Sequence, residues 1–244
     1  MRWKVIVLPN LRRFRSKFFL SLGIIVAVMA LGIFQQDFLI SEVTKDDKVL
    51  KAIDKGNADI PKIAFACNVF WGEDILPEML DILDKTNTKI TFFIGGSWAA
   101  KNPAIVKMIK DRGHELGNHT YSHPHPNNIS KEKNKEQIIK TEKLITDITG
   151  VKTMLYAPPY GEYNKTVLEA ADEIGYKTIM WSIDTIDWQK PPVEVVKKRV
   201  LTKIHNGAIV LMHPTDPTLK ALPDLIKEIQ NKGYIITTVT DVLE

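Results

Sequence analysis

Two histidines four residues apart, His119 and His123, form the first pattern with chemical meaning. On a helical turn this spacing places both imidazoles on one side, and neutral imidazole nitrogens are good ligands for divalent ions such as zinc. A zinc site generally has a third protein ligand, which the spacing does not identify. The same pattern is common on protein surfaces and in helix caps, so a metal site needs support from other residues.

His213 is the second candidate, because it directly follows the apolar run IVLM. Asp184 and Asp187 lie in the string WSIDTIDW. A carboxylate beside this imidazole would stabilise its protonated form and make it a general acid. The alternative is a histidine at the edge of the core that is hydrogen-bonded to a backbone carbonyl.

The elements that must position these residues are short apolar runs that alternate with helical segments after Pro61. Such alternation predicts an α/β domain of βα units, and about seven parallel strands predict a closed or nearly closed (β/α) barrel. Helix boundaries are indicated by Asn102-Pro103, Asn164, Gly113, Gly175 and Gly233. The predicted strands are Ile63–Cys67, Ile90–Ile94, Glu115–Asn118, Thr153–Tyr156, Thr178–Ser182, Ala208–Met212 and Tyr234–Thr238.

Polar candidates follow five of these strands directly. In a parallel α/β fold the carboxyl ends of the strands form the face on which sites are built, so these side chains are expected to converge. The candidates in chain order are Asn68, His119, His123, Tyr160, Asp184, Asp187 and His213. Three further histidines, His114, His125 and His205, are predicted to lie on the surface, and Cys67, the only cysteine, to be buried.

The N-terminal region predicts a membrane anchor. Residues 1–17 carry six cations and no acid, and the run FFLSLGIIVAVMALGIF that follows has no charge. With Gln35 and Gln36 in the headgroups, residues 18–36 could cross a bilayer once, with the tail in the cytoplasm and the body outside the cell. A cleaved signal peptide is the alternative. Residues 37–60 are polar and predict a stalk, and residues 61–244 the folded domain.

The charge distribution and the cysteine content argue against a nucleic-acid-binding protein and against a disulfide-stabilised protein. The net charge is +4, but the six cations of the tail account for more than all of it, so the body is slightly acidic. A nucleic-acid partner is therefore not expected. One cysteine excludes an intramolecular disulfide.

Four ordered strings, ELGNHTYSH, APPYG, WSIDTIDW and IVLMH, resemble the motifs of the polysaccharide deacetylase (NodB homology, carbohydrate esterase) family. The anchored layout, and IAFACNVFWGED in place of a TFDDG-type string, resemble its sporulation-associated branch. The resemblance implies a distorted (β/α) barrel of about seven parallel strands. It also implies hydrolysis of the acetamide C–N bonds of peptidoglycan or chitin-like amino sugars with a zinc-type metal. By the same resemblance, the metal ligands are His119 and His123, and the general acid is His213, tuned by Asp187. The resemblance also implies that Tyr160 offers its backbone N–H to the oxyanion. Trp188 and Leu211 are then expected to line the acetyl pocket.

The chain departs from the family pattern at three positions. Asn68 stands at the position of the general base, Val69 at that of the aspartate metal ligand, and Ala157 at that of the arginine that pairs with the base. A carboxamide takes no proton at neutral pH, so the base is expected to be defective and the metal site to lack a ligand. Glu73 or Asp74 could substitute, although both also suit the acidic first turn of a helix.

These observations predict a metal-dependent N-deacetylase family protein acting on cell-wall glycan, with reduced activity. The alternative is a catalytically silent glycan-binding or scaffold protein that retains the fold. A membrane protein without glycan contact is a third hypothesis.

Overall fold

The computed structural model describes residues 49–244 of the chain. The predicted basic tail, the transmembrane anchor at residues 18–36 and most of the predicted stalk lie outside the described residues. Within residues 49–244, no helix combines the length and the apolar character needed to cross a membrane.

In the described part of the chain, eight parallel strands form one curved sheet, with the order β5-β4-β3-β2-β1-β7-β6 and β8 paired to the start of β1. The predicted parallel α/β architecture is therefore confirmed in its coarse form, a half-barrel. The strands are β1 Lys62–Val69, β2 Thr91–Ile94, β3 Glu115–Asn118, β4 Leu155–Tyr156, β5 Lys177–Thr178, β6 Ile183–Asp184, β7 Ile209–Met212 and β8 Ile235–Thr237.

The side chains of strand β1 alternate between two apolar clusters, one on each face of the sheet. Successive side chains of a strand point to opposite faces. Ile63, Phe65, Cys67 and Val69 belong to a large cluster shared with the helices, whereas Ala64 and Ala66 belong to a smaller cluster with Phe93, Leu155, Ala157, Ile179 and Ile209. Asn68 continues the alternation of the two alanines, so it lies above the smaller cluster at the carboxyl end of the sheet.

Within residues 49–244, eight α-helices cover the sheet. Asn164 accepts a hydrogen bond from the Val167 N–H at 3.0 Å, as its predicted capping role requires. One helix begins at the predicted Pro103, but the Asn102 side chain donates to the Trp98 carbonyl instead of capping it. The helices are α1 Leu76–Lys85, α2 Gly96–Ala99, α3 Pro103–Asp111, α4 Lys131–Thr149, α5 Lys165–Asp172, α6 Val193–Leu201, α7 Asp216–Asn231 and α8 Val239–Leu243.

The fifth predicted strand, Thr178–Ser182, is wrong in its extent. Of its residues only Thr178 lies in a strand, β5, and β6 begins at Ile183, one residue after the predicted end. The two strands do not pair with each other at this gap. Ile53 lies there instead: its N–H donates to the Thr178 carbonyl at 2.9 Å, and its carbonyl accepts from the Met180 N–H at 2.7 Å. A segment from before β1 therefore supplies the missing backbone partner.

The described end of the predicted stalk packs on the sheet. The Gly56 N–H donates to the Gly207 carbonyl at 2.7 Å, and the Asn57 N–H donates to the Val242 carbonyl at 2.8 Å. A side chain at Gly56 would overlap the Val242 carbonyl, so only glycine allows this close approach. Residues 53–57 are consequently part of the folded domain.

Candidate active site

One cavity of about 380 Å³ at the carboxyl ends of the strands collects most of the candidate residues. Its walls combine imidazoles, aromatic rings and one carboxamide. The residues that line it are Asn68, His119, His123, Tyr160, Gly161, Trp181, Asp184, Trp188, Leu211 and His213. Asp187 lies behind His213, outside the lining.

Asp187 holds His213 at two points. Asp187 Oδ1 lies 2.7 Å from His213 Nδ1, and Oδ2 accepts from the backbone N–H of His213 at 2.7 Å. Oδ2 also accepts from the Thr218 hydroxyl of α7. Burial raises the pKa of Asp187, but the hydrogen bonds from His213 and Thr218 outweigh it and leave this pKa below its usual value. An ionised carboxylate only accepts, so Nδ1 is the donor and Nε2 is the nitrogen available to the cavity.

His119 is buried and oriented by the backbone. Its Nδ1 lies 2.8 Å from the Ala157 carbonyl, which can only accept, so Nδ1 carries the proton and Nε2 keeps its lone pair. Burial is the main cause that lowers the pKa of His119 to about 3 and that of His123 to about 4. Both rings are thus neutral, the form that binds a metal.

The two rings meet, but not on a helical turn as the spacing suggested. Their centroids are 4.9 Å apart in a loop in which Thr120 and His123 both have positive φ. Gln137 of α4 holds this loop, because its Oε1 accepts from the N–H groups of Tyr121 and Ser122 at 3.1 and 2.8 Å. Neither Gln137 nor Thr218 was among the candidates. The only sequence signal for Gln137 is a polar residue on the buried side of an amphipathic helix.

The donor set does not complete a catalytic zinc site. Among residues 49–244, no three His, Cys, Asp or Glu side chains are grouped so that they could hold one ion. Val69 packs in the apolar cluster with the helices, and Glu73 accepts from Trp98 Nε1 at 3.1 Å. Glu73 and Asp74 line a different cavity and precede α1, so neither replaces the missing ligand.

Asn68 stands at the base position with an unsatisfied oxygen. The side chain is buried, and its Oδ1 has no hydrogen-bond partner among the described residues. Such an atom typically costs about 1–3 kcal/mol in stability. A carboxamide cannot accept a proton from water, so the position that the resemblance assigns to the general base carries no proton acceptor.

Tyr160 turns sharply at the rim. Its φ of +60° lies in the left-handed region, which costs a residue other than glycine about 1–2 kcal/mol. Its exposed ring meets His123 at a centroid distance of 4.6 Å and stacks on His125 at 4.1 Å. Trp188 is exposed beside the cavity, and Leu211 is buried in its wall.

The prediction for His114 is wrong, because this histidine is buried. Its Nδ1 accepts from the Ile90 N–H at 3.2 Å, and its ring packs edge-on against Phe92. Burial is the largest cause that lowers the pKa of His114 to about 4. His125 is exposed, His205 is half-buried, and Cys67 is buried as predicted.

The chain is similar in sequence to known proteins. A sequence profile described as polysaccharide deacetylase matches residues 42–179. The chain is 47% identical over 190 residues to the uncharacterized protein YlxY of Bacillus subtilis, and the match covers 78% of this chain and 60% of that protein. It is 38% identical to the peptidoglycan-N-acetylglucosamine deacetylase PgdA of Listeria monocytogenes, over 69% of this chain and 36% of the enzyme. The matches thus span less than two thirds of both relatives.

Solved structures extend the comparison. The crystal structure of BA3943, a CE4 family pseudoenzyme from Bacillus anthracis, matches with a TM-score of 0.79 and 39% identity, over 82% of this chain and 71% of that one. A BA3943 mutant with restored enzymatic activity matches with the same TM-score and 38% identity, over 82% and 73% of the two chains. The chain therefore belongs to the polysaccharide deacetylase family.

Proposed function

We propose that this domain binds N-acetylated amino sugars of cell-wall glycan and removes their acetyl groups at a strongly reduced rate. The proposal is carried by one observation: His213, which Asp187 holds from behind, lines the same cavity as the imidazoles of His119 and His123. Relatives named as peptidoglycan-N-acetylglucosamine deacetylases support the glycan substrate.

In this proposal, the chain's own residues handle the leaving group and the developing charge. Water adds to the acetamide carbon and, because no side chain serves as its base, releases one proton to the solvent. The C–N bond then breaks to give acetate and a free amine. His213 donates its Nε2 proton to the departing nitrogen, while Asp187 stabilises the imidazolium through Nδ1. The Tyr160 N–H donates to the oxyanion, and Trp188 and Leu211 enclose the acetyl methyl group.

We further infer that a divalent ion of the zinc type, when present, is held by His119 and His123. Such an ion supplies Lewis-acid activation of water and of the carbonyl oxygen. With two imidazoles and no aspartate at residue 69, affinity is weaker than at a three-ligand site. No catalytic step above depends on this ion.

Asn68 sets the expected rate. A positioned general base is worth about 10²- to 10⁴-fold in rate, and a carboxamide at this position forfeits that contribution. The acid and the oxyanion donor still act, so slow hydrolysis is expected.

A second candidate is a catalytically silent glycan-binding or scaffold protein. It is favoured by the unsatisfied Asn68 oxygen and by the similarity to BA3943, which is described as a pseudoenzyme. In this candidate the cavity binds the sugar, and the acid pair has no reaction to complete.

Acetate release and glycan binding should be measured separately on the same purified protein, with peptidoglycan and chito-oligosaccharides as substrates. Slow release that disappears in His213→Ala supports the deacetylase. Binding without release, equal in wild type and His213→Ala, supports the silent protein. A protein that neither binds glycan nor releases acetate would contradict both candidate functions.

We also propose that residues 18–36 anchor the protein in the cell membrane with the domain outside the cell, and that it acts in sporulation. The uncharged run after six cations supports the anchor. Protease added to intact cells should degrade the domain and spare residues 1–17. A protected domain would contradict this topology.

A further inference from the structure

Trp181 lies where the sheet is interrupted, between β5 and β6. On one side of it, the Met180 N–H donates to the Ile53 carbonyl at 2.7 Å. On the other side, the Ser182 N–H donates to the Ile209 carbonyl of β7 at 3.1 Å. The backbone at Trp181 is therefore fixed from two sides, once by the sheet and once by a segment that precedes β1.

We call that segment, residues 53–57, the strap. Its first residue, Ile53, also donates its N–H to the Thr178 carbonyl at 2.9 Å, so it is bonded to the chain before and after the interruption. The Ile53 side chain is half-buried and packs against the smaller apolar cluster, as Trp181 does. The other end of the strap is bonded to the domain through the Gly56 N–H. The strap is thus a fitted part of the sheet at the point where Trp181 emerges.

The Trp181 indole reaches the turn that carries Tyr160. A Cβ atom at Gly161 would lie 2.6 Å from Cη2 of Trp181, so the ring lies directly against the Gly161 backbone. Tyr160 has a φ of +60°, a conformation that persists only when its surroundings hold it in place. The indole is one of these surroundings, because it packs against the next residue of the turn.

Trp181 has room to leave this position. It lines the cavity that contains His213, but it also lines a cavity of about 650 Å³ whose walls include Asp54 and Lys55 of the strap. With the strap displaced, the indole could turn into that volume and away from Gly161. The packing of the indole therefore depends on the strap as well as on the sheet.

We propose that the strap is a positioning element of the catalytic cavity: it holds Trp181 against Gly161 and so keeps the Tyr160 N–H directed at the oxyanion. The inference rests on the proposed function, to which the oxyanion role of Tyr160 belongs. Ile53 and Gly56 act as positioning residues, because neither lines the cavity of His213. Displacement of the strap should therefore impair the site although every lining residue is retained.

Two variants of the full-length chain displace the strap. Ile53→Ala removes the apolar side chain, and Gly56→Ala introduces a Cβ atom that would lie 2.0 Å from the Val242 carbonyl oxygen. The matched control is Ile105→Ala, since Ile105 of α3 is also a half-buried isoleucine but packs against the larger cluster, on the other face of the sheet. If Gly56→Ala does not fold, Ile53→Ala decides.

The first measurement needs no catalysis. The Gly161 N–H donates to the Pro158 carbonyl at 3.2 Å, so its hydrogen exchange reports whether the turn is intact. Mass spectrometry of the peptide that contains residues 158–163 should show exchange at least about 10-fold faster in both strap variants than in wild type and the control.

The second measurement separates kcat from KM for acetate release from chitotetraose. An oxyanion donor acts on the transition state, and its loss costs about 10²- to 10³-fold in kcat. Because the strap variants displace this donor without deleting it, kcat should fall about 10- to 100-fold and KM should change less than about 3-fold. The control should keep both constants.

A double-mutant cycle with Trp181→Ala tests the route. If the strap acts through Trp181, Ile53→Ala should add little to the exchange of Gly161 once the indole is gone. Independent effects that add in the double variant would overturn the role of Trp181. Unchanged exchange and kcat in folded strap variants, or equal changes in Ile105→Ala, would overturn the proposal itself. Wild type that releases no acetate contradicts the proposed deacetylase, whereas the exchange data still decide whether the strap holds the turn.

Discussion

His213 is held by Asp187 through both its side chain and its backbone, each at 2.7 Å. Because Oδ2 is taken by the backbone N–H and by the Thr218 hydroxyl, only Oδ1 is left for the imidazole. The ring is thereby fixed in one orientation and one tautomer, with Nε2 as the nitrogen available to the cavity. The structure therefore contradicts the alternative drawn from the sequence, in which His213 is a histidine at the edge of the core that is hydrogen-bonded to a backbone carbonyl.

Asp187→Asn should therefore impair both chemistry and stability. A carboxamide offers one acceptor atom where the native residue serves three donors, so we expect a loss of about 1–3 kcal/mol in the free energy of unfolding. Acetate release, where measurable, should fall at least about 10²-fold because the imidazolium loses its partner. Chemical denaturation and an acetate assay check the two effects.

Thr218→Val is the matched control for Asp187→Asn. It removes one hydrogen bond to Oδ2 and leaves the Oδ1–Nδ1 contact intact. Stability should fall by about 1 kcal/mol, and acetate release should change much less than in Asp187→Asn. Equal loss of activity in the two variants would contradict the role of Oδ1.

Restoring the missing base should raise activity. Asn68→Asp alone places a carboxylate in a buried position, where burial raises its pKa and keeps it protonated. Ala157→Arg supplies the paired cation, and Val69→Asp the third ligand. We expect the triple variant to release acetate about 10²- to 10⁴-fold faster than wild type. The BA3943 mutant with restored enzymatic activity is a precedent in a similar protein.

Val69 makes this variant demanding, because its fully buried side chain packs in the apolar cluster with the helices. The double variant Asn68→Asp/Ala157→Arg therefore serves as a control that tests the base without disturbing the cluster. A triple variant that folds and binds metal but releases no acetate would favour the silent glycan-binding protein.

The convergence of Asn68, His119 and His213 could be predicted because parallel strands end at one edge of a sheet, and each residue directly follows a strand predicted from the sequence. The interruption of the predicted strand Thr178–Ser182 could not be predicted from the sequence. The centre of this run, Ile179 to Trp181, is apolar. The break depends on Ile53, more than a hundred residues earlier, which is hydrogen-bonded to the backbone of Thr178 and of Met180. Long-range backbone partners leave no local pattern.

The pairing of His119 with His123 illustrates a correct expectation reached for the wrong reason. The rings meet because two residues of the loop have positive φ and Gln137 of a distant helix holds its N–H groups. Neither feature follows from spacing. His114 was misassigned for a related cause: a polar residue after a glycine suggests the surface, and only the packing against Ile90 and Phe92 buries it.

Metal binding should depend on His119 and be weak. Two neutral imidazoles without a third protein ligand favour an affinity below that of a complete zinc site. His119→Ala should abolish the binding of zinc to the purified protein in isothermal titration, whereas His205→Ala, outside the cavity, should leave it unchanged. Unchanged zinc binding in His119→Ala would reject this assignment.

His114 should make the domain less stable in mild acid. Its pKa is about 4 in the folded protein, below the usual value of 6.5, mainly because burial disfavours the charged ring. Between these values the unfolded chain binds the proton and the folded protein does not. Stability is therefore complete above about pH 6.5 and declines as the pH falls toward 4, by up to about 3 kcal/mol.

The variant that isolates this effect is His114→Asn, because a carboxamide can accept from the Ile90 N–H and does not titrate. His119 and His123, whose pKa values are also lowered, contribute to the pH dependence of both proteins and cancel in the comparison. Lys89, Arg112 and Asp84 act on His114 through their charges and are retained. Unfolding free energies from urea titrations at pH 4.5 and pH 7 should differ less in the variant than in wild type. The same difference in both proteins would mean that His114 is already protonated in the folded state, and that its burial does not govern acid stability.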